Sequence, residues 1–185
     1  KKKNSIIFVG NVEDRKKGVI YLLKAMTLTK HKVSLTIVDG GAPNRSTVPN
    51  LINKFGLNGR VTFTRKIPID KLIRLYSKNE IAVLPSLYEG FGFPAAEAMA
   101  CELPVLTTTA GALPEVVGEH MKTGYLVPPR DAHAIAEGID FLLDNPDLRR
   151  EMGKAARKRV LEVFTWENAA HELVAMYEEV INAHR

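Results

Sequence analysis

The sequence predicts an α/β protein built on a doubly wound, Rossmann-like parallel sheet. Three observations carry that expectation. Short apolar runs alternate with segments of helical spacing as far as Thr108, the pattern of successive βαβ units. Loops bearing glycine follow several of these runs, and such sheets bind ligands beyond the carboxyl ends of their strands, near the point where strand order reverses. Beyond Thr108 the pattern turns mostly helical, which places a set of C-terminal helices against the sheet.

The elements follow in order. Ser5-Ile6-Ile7-Phe8-Val9 reads as a buried strand ended by Gly10, with a charged loop over residues 11–17. Residues 18–26 have helical spacing, with Ile20, Leu23 and Met26 among the apolar positions. Strands are expected at residues 34–38, 61–64, 81–84 and 105–108, and helices at 48–55, 69–77 and 94–101. Leu72, Ile73, Leu75 and Tyr76 supply the apolar side of the third helix. Residues 110–115 form a loop into a short helical turn, and Tyr125-Leu126-Val127 a short strand stopped by Pro128-Pro129. Asp131 is the expected N-cap of a helix to Leu143, Asn145-Pro146 opens one to Val163, and Thr165 caps the last. No repeat or Gly/Ser linker divides residues 1–185, so one domain is expected.

Composition narrows the function classes. Apolar residues at 45% and charged residues at 25% fit a soluble globular protein. The formal charge of +5, from 26 basic and 21 acidic side chains, favours anionic ligands and is too small to argue for nucleic acid. Cys101 is the single cysteine, which excludes an internal disulfide framework and fits a reducing, cytoplasmic compartment. Lys1-Lys2-Lys3 runs straight into a short strand, unlike a signal peptide, and no apolar run approaches the ~18 residues a membrane span needs. The chain is expected to start part-way through a longer protein.

One stretch concentrates the chemistry: Leu84-Pro85-Ser86-Leu87-Tyr88-Glu89-Gly90-Phe91-Gly92-Phe93-Pro94, continuing to Met99. It reads as strand, tight glycine loop and helix, with Pro94 at the first helical position. A helix start offers unpaired N–H groups and a positive dipole end, and so favours an anion such as phosphate. Glu89 and Glu97 flank the loop, eight positions apart. Taken alone, Glu97 would be a solvated helix glutamate and Lys16-Lys17 a charged turn. Arg149, Arg150, Lys154, Arg157, Lys158 and Arg159 read as a solvated basic face, with contact to anionic lipid at an inner membrane surface as the sharper alternative. Cys101 reads as a small buried residue, and Phe164 and Trp166 as packing anchors. The five histidines show no metal-ligand spacing.

These residues resemble the C-terminal, donor-binding domain of retaining glycosyltransferases of family four, which have the two-domain GT-B fold. The resemblance rests on residues 85–94 with Glu97-Ala98-Met99-Ala100-Cys101. It is extended by Gly111-Ala112-Leu113-Pro114-Glu115-Val116-Val117, by residues 123–128 and by Lys17-Gly18, and so spans nearly the whole chain. It implies that Glu89 contacts hydroxyls of the donor sugar and Glu97 the ribose. It implies that Gly90, Phe91, Gly92 and Phe93 line the sugar and diphosphate, and that Lys17 holds the diphosphate. The base would lie at Arg65-Lys66-Ile67. The sequence also departs from the family. Gly10-Asn11 stands where Gly-Arg is usual, so Arg15 or Lys16 is left to supply a second positive charge. Gly111-Ala112 replaces a pair of glycines, and Ile37-Val38-Asp39-Gly40-Gly41 replaces Val-Gly-Asp-Gly.

The chemistry suits these residue types. Sugar transfer from a nucleotide donor releases a diphosphate, and fixed cations and N–H groups aimed at that growing charge are a large catalytic contribution. A carboxylate accepts two hydrogen bonds and so suits vicinal hydroxyls. No DxD-type motif stands near the site, so Lys17 and the helix start are expected in place of a divalent metal, with no cofactor. The implied function is the nucleotide-sugar half of a retaining glycosyltransferase. Its partner would be an N-terminal acceptor domain, which the terminal helix over residues 165–185 would meet. A non-catalytic nucleotide-sugar module and a sugar-nucleotide epimerase of related fold are the alternatives.

Overall fold

The computed structural model describes residues 1–41 and 47–183. Six parallel strands form one sheet in the order β3-β2-β1-β4-β5-β6: β1 Ser5–Gly10, β2 Ser34–Asp39, β3 Val61–Arg65, β4 Ile81–Leu84, β5 Val105–Thr108 and β6 Tyr125–Val127. Helices α1 Val19–Leu28, α2 Val48–Lys54, α3 Ile69–Lys78, α4 Phe93–Ala100 and α5 Leu113–Val117 connect them, and α6 Ala132–Asp144, α7 Pro146–Val163 and α8 Trp166–Ala183 follow. The expected doubly wound sheet with C-terminal helices is therefore present.

Parallel strands covered on both faces need apolar side chains on both, and alternate residues supply them. Ile6 and Phe8 join α1, α2 and α6 in one cluster, while Ile7 and Val9 join α3, α4 and α5 in the other. Ile6, Ile7, Val83, Val105 and Leu106 are fully buried. Asp131 caps α6 as expected, accepting N–H bonds from His133 and Ala134 at 2.9 Å. Thr165 does the same for α8, accepting from Asn168 N–H at 3.2 Å.

Some local expectations are corrected. Arg15–Lys17 forms a 3-10 turn inside the expected loop, because Asp14 accepts the Lys16 N–H at its start and Gly18, at φ 64°, ends it in the left-handed region. Helix α4 begins at Phe93, so Pro94 is its second residue; Gly92, at φ 101°, turns the chain one residue earlier. Ile20 and Ile73 face outward, at 48% and 46% exposure. Trp166 is 90% exposed and anchors nothing, whereas Phe164 meets the Phe91 ring edge-on at 5.4 Å between centroids. Cys101 is half-buried. Burial pushes its thiol above the usual range, with Arg157 opposing and Glu97 reinforcing, consistent with a thiol that is no nucleophile.

The basic run on α7 is not one solvated face. Arg149 pairs with Glu80 at 2.6 Å, both 13% exposed. Arg159 donates to the carbonyls of Val116 and Glu115 at the end of α5, and Arg157 to that of Ala100 at the end of α4, where cations complement unsatisfied carbonyls. Arg150, Lys154 and Lys158 are exposed beside acidic neighbours one turn away. Among the described residues no helix is long and apolar enough to cross a membrane.

Gly18 is the tightest point of the fold near the sheet's carboxyl edge. A Cβ there would lie 2.0 Å from the Pro85 carbonyl oxygen. Gly18→Ala is expected to destabilise by about 2–4 kcal/mol, through backbone strain and overlap together. The check is a thermal melt, where each kcal/mol lowers Tm by roughly 2–4 °C in a chain of this size.

Candidate functional site

Strand order reverses between β1 and β4. The connections leaving these two strands must run in opposite directions, so a crevice opens between their carboxyl ends. The loop after β1 is fastened by Asp39, 3% exposed, whose Oδ1 accepts from Val12 N–H at 3.2 Å and Gly41 N–H at 2.9 Å. Asn11 folds onto its own loop, accepting from Glu13 N–H at 3.0 Å. Gly10 ends β1 beside Lys17: a Cβ there would lie 3.8 Å from the Lys17 Cδ.

The 3-10 turn then aims Lys17 at the loop after β4. Its Nζ donates to Glu89 Oε1 at 3.0 Å and Oε2 at 2.7 Å, and the two side chains are only 21% and 15% exposed. Ser86 Oγ donates to Glu89 Oε2 at 3.3 Å. Leu87 N–H donates to Lys16 O at 2.6 Å, tying the two loops together. Thr108 Oγ1 holds the Ser86 carbonyl. Ala112 N–H donates to Glu89 O at 3.0 Å, and Gly111, at φ 59°, leaves room for that carbonyl, since a Cβ there would lie 2.2 Å from it. Glu89 is thus fixed through both its side chain and its backbone.

The glycine loop supplies the donors. Among the described residues, none of the backbone N–H groups of Gly90, Phe91, Gly92 and Phe93 donates to another protein group. No side chain caps α4. Pro94 has no N–H, and Ala95 N–H turns back to Gly92 O at 2.8 Å. The open amides therefore belong to the loop and the first helical residue, a run of donors of the kind that suits an anion. Phe91 packs against Phe93 at 4.8 Å, leaving Phe93 69% exposed.

The two candidates for a second positive charge separate. Lys16 Nζ stands 5.5 Å above the Tyr88 ring, on the residue preceding Glu89. Arg15 lines a 400 Å³ cavity with Val12, Tyr21, Thr47 and Leu51 and without Glu89. Lys16 is the better placed of the two.

Glu97 is half-buried and not a solvated helix glutamate. Its Oε2 accepts from Tyr76 Oη at 3.0 Å, and it lines a 440 Å³ cavity between α3 and α4 with Ile69, Ile73 and Cys101. Glu89 is not among the lining residues of that cavity, so the two acids do not share it. Of the base candidates, Arg65 and Lys66 are exposed at the end of β3, with Arg65 in register with Asp39. Ile67 packs against the apolar cluster of α3 and α4. Among the described residues no three His, Cys, Asp or Glu side chains gather as metal ligands would. Sequence reasoning passed over Ser86 and Tyr76. The first is an ordinary loop serine in the sequence, and the second is counted there only as apolar.

The family profile described as "Glycosyl transferases group 1" matches residues 1–159. The chain belongs to this family. It is 38% identical over 181 residues to MMP alpha-(1->4)-mannosyltransferase of Mycolicibacterium hassiacum, covering 97% of this chain and 44% of that protein. Sucrose-phosphate synthase of Thermosynechococcus elongatus superposes with a TM-score of 0.88 at 36% identity, covering 98% of this chain and 46% of the other. The C-terminal domain of a group 1 glycosyl transferase, LpcC, of Francisella tularensis gives a TM-score of 0.77 at 27% identity, covering 88% and 86%. The group 1 chain described here thus spans somewhat less than half of the mannosyltransferase and synthase it resembles, and nearly all of an isolated C-terminal domain.

The Lys17–Glu89 contact has a measurable consequence. An anion arriving at Lys17 competes with Glu89 for the ammonium. Glu89→Gln keeps the side-chain shape and removes that competitor. It is expected to tighten inorganic pyrophosphate by about fivefold, the equivalent of about 1 kcal/mol, and Lys17→Ala to weaken it. Titration calorimetry reads both; a weakened Glu89→Gln would show that the carboxylate does not compete.

Proposed function

We propose that the chain is the nucleotide-sugar-binding half of a retaining glycosyltransferase, moving a hexose-type sugar from a nucleotide-diphosphate donor to an acceptor held by an N-terminal domain. The observation that carries this reading is the Lys17–Glu89 pair set beside the unpaired amides of Gly90–Phe93 where strand order reverses. The names of the two full-length relatives, both sugar-transfer or sugar-phosphate synthases, support it.

On this reading the diphosphate sits on the amides of residues 90–93 with Lys17 as its cation. As the anomeric carbon–oxygen bond breaks, charge collects on the departing phosphate oxygen. The ammonium and amides are already aimed there, so they strengthen in the transition state without reorganising. Lys17 must turn from Glu89 to the phosphate, which releases both carboxylate oxygens for the sugar hydroxyls. An ionised Glu89 also favours an oxocarbenium-like centre. Glu97 takes the ribose, and Arg65-Lys66 lie on the base side.

The terminal helix supports a missing half. None of the residues of α8 is buried, and Trp166, Leu173, Val174, Tyr177, Val180 and Ile181 expose an apolar stripe larger than a solvated helix carries. An N-terminal domain would cover it.

The test is calorimetry with UDP, GDP and ADP and their sugar conjugates, followed by turnover of the longer protein. The 185-residue chain is expected to bind one nucleoside diphosphate at millimolar affinity or better and to transfer little sugar. Lys17→Ala is expected to weaken all diphosphates alike, and Glu89→Ala to remove the extra affinity that the sugar confers. Binding by none of the three at millimolar levels would overturn the site. Binding without turnover by the two-domain protein would favour a non-catalytic module, a reading supported by Asn11 standing where arginine is usual.

A further inference from the structure

Tyr76 is the largest fully buried polar side chain in the fold, at 2% exposure. Its ring packs into the cluster of α3, α4 and α5. A buried phenol needs a hydrogen-bond partner, and an apolar cluster could have been filled by phenylalanine without one. Here Oη lies 3.0 Å from Glu97 Oε2 and 3.5 Å from the Pro94 carbonyl. Burial, reinforced by Glu97, pushes the hydroxyl far above its ordinary range, so it stays protonated as a donor at any working pH.

The geometry on Glu97 is one-sided. Oε2 accepts from Tyr76, while Oε1 accepts from no protein donor among the described residues. A carboxylate has about four lone-pair positions on two oxygens, so Oε1 and the second lone pair of Oε2 remain for a ligand. Without Tyr76, a glutamate on a helix surface would sample several rotamers, and ordering it on binding would cost side-chain entropy. Tyr76 also stands on α3, the helix entered from the loop that begins at Lys66, directly after Arg65 at the end of β3. One rigid element therefore connects the base side of the site to the carboxylate on α4.

We propose that Tyr76 is a positioning residue: through its hydroxyl it presets Glu97 so that the open carboxylate edge meets two vicinal hydroxyls of a nucleotide ribose. The inference rests on the reading of Glu97 as the ribose contact, and the experiment separates the two.

Tyr76→Phe removes one oxygen and keeps the ring. Wild type, Tyr76→Phe, Glu97→Ala and the double variant are titrated with UDP, GDP, ADP and the 2′,3′-dideoxy form of whichever binds. Wild type is expected to prefer the ribose form by tenfold or more. Tyr76→Phe should lose most of that preference while binding the dideoxy form as wild type does. Glu97→Ala should abolish the preference, and the double variant should be no worse than Glu97→Ala alone. A Tyr76→Phe that keeps the full preference, or that loses affinity for both forms equally, overturns the positioning role while Glu97 stands. An unchanged preference in Glu97→Ala, or none in wild type, overturns the ribose reading and the inference with it. A thermal melt of Tyr76→Phe guards against general loosening. If that variant is unfolded, Tyr76→Leu, which also lacks a donor, carries the same test: loss of preference for the ribose form alone supports the role, and a retained preference or an equal loss for both forms overturns it.

Discussion

The site depends on a steric constraint more than on any charge. The chain leaving β1 and the chain leaving β4 must touch, and they touch at Gly18, where the Pro85 carbonyl occupies the space of a side chain. That contact, with the short Leu87–Lys16 backbone bond beside it, sets the distance between the 3-10 turn and the glycine loop. Lys17 precedes Gly18 and Glu89 follows Pro85 by four residues, so a backbone approach becomes an ammonium–carboxylate contact. Only glycine satisfies both the positive φ and the missing volume at this position.

The electrostatics follow from that geometry. Lys17 and Glu89 are mostly withdrawn from water, and each is the other's main compensation. Withdrawing two charges is costly unless they are paired, so the resting pair stabilises a site that would otherwise strain. It also means that neither group is idle before a ligand arrives. The amides of residues 90–93 differ: among the described residues they donate to no other protein group in the resting fold.

Much of the architecture was legible because its signals are local. Buried parallel strands leave short apolar runs, helices leave their own spacing, and caps at Asp131 and Thr165 depend on residues two or three positions away. The misreadings were of another kind. Pro94 fits either of the first two helical positions, and the left-handed Gly92 decided between them. Trp166 looks like a core residue in any composition argument, yet it is 90% exposed on a helix with no buried residue. The α7 arginines share a spacing, but Arg157 and Arg159 donate to carbonyls at the ends of α4 and α5.

By itself the sequence determined the class of fold and the succession of its elements, because propensity, periodicity and glycine placement act over a few residues. Tertiary structure alone decided which residues meet. The Lys17–Glu89 contact joins positions 72 apart, and the Tyr76–Glu97 bond joins positions 21 apart on separate helices. Such partners are chosen by how the sheet orders its strands and how closely two backbones pass, and no local pattern encodes either distance.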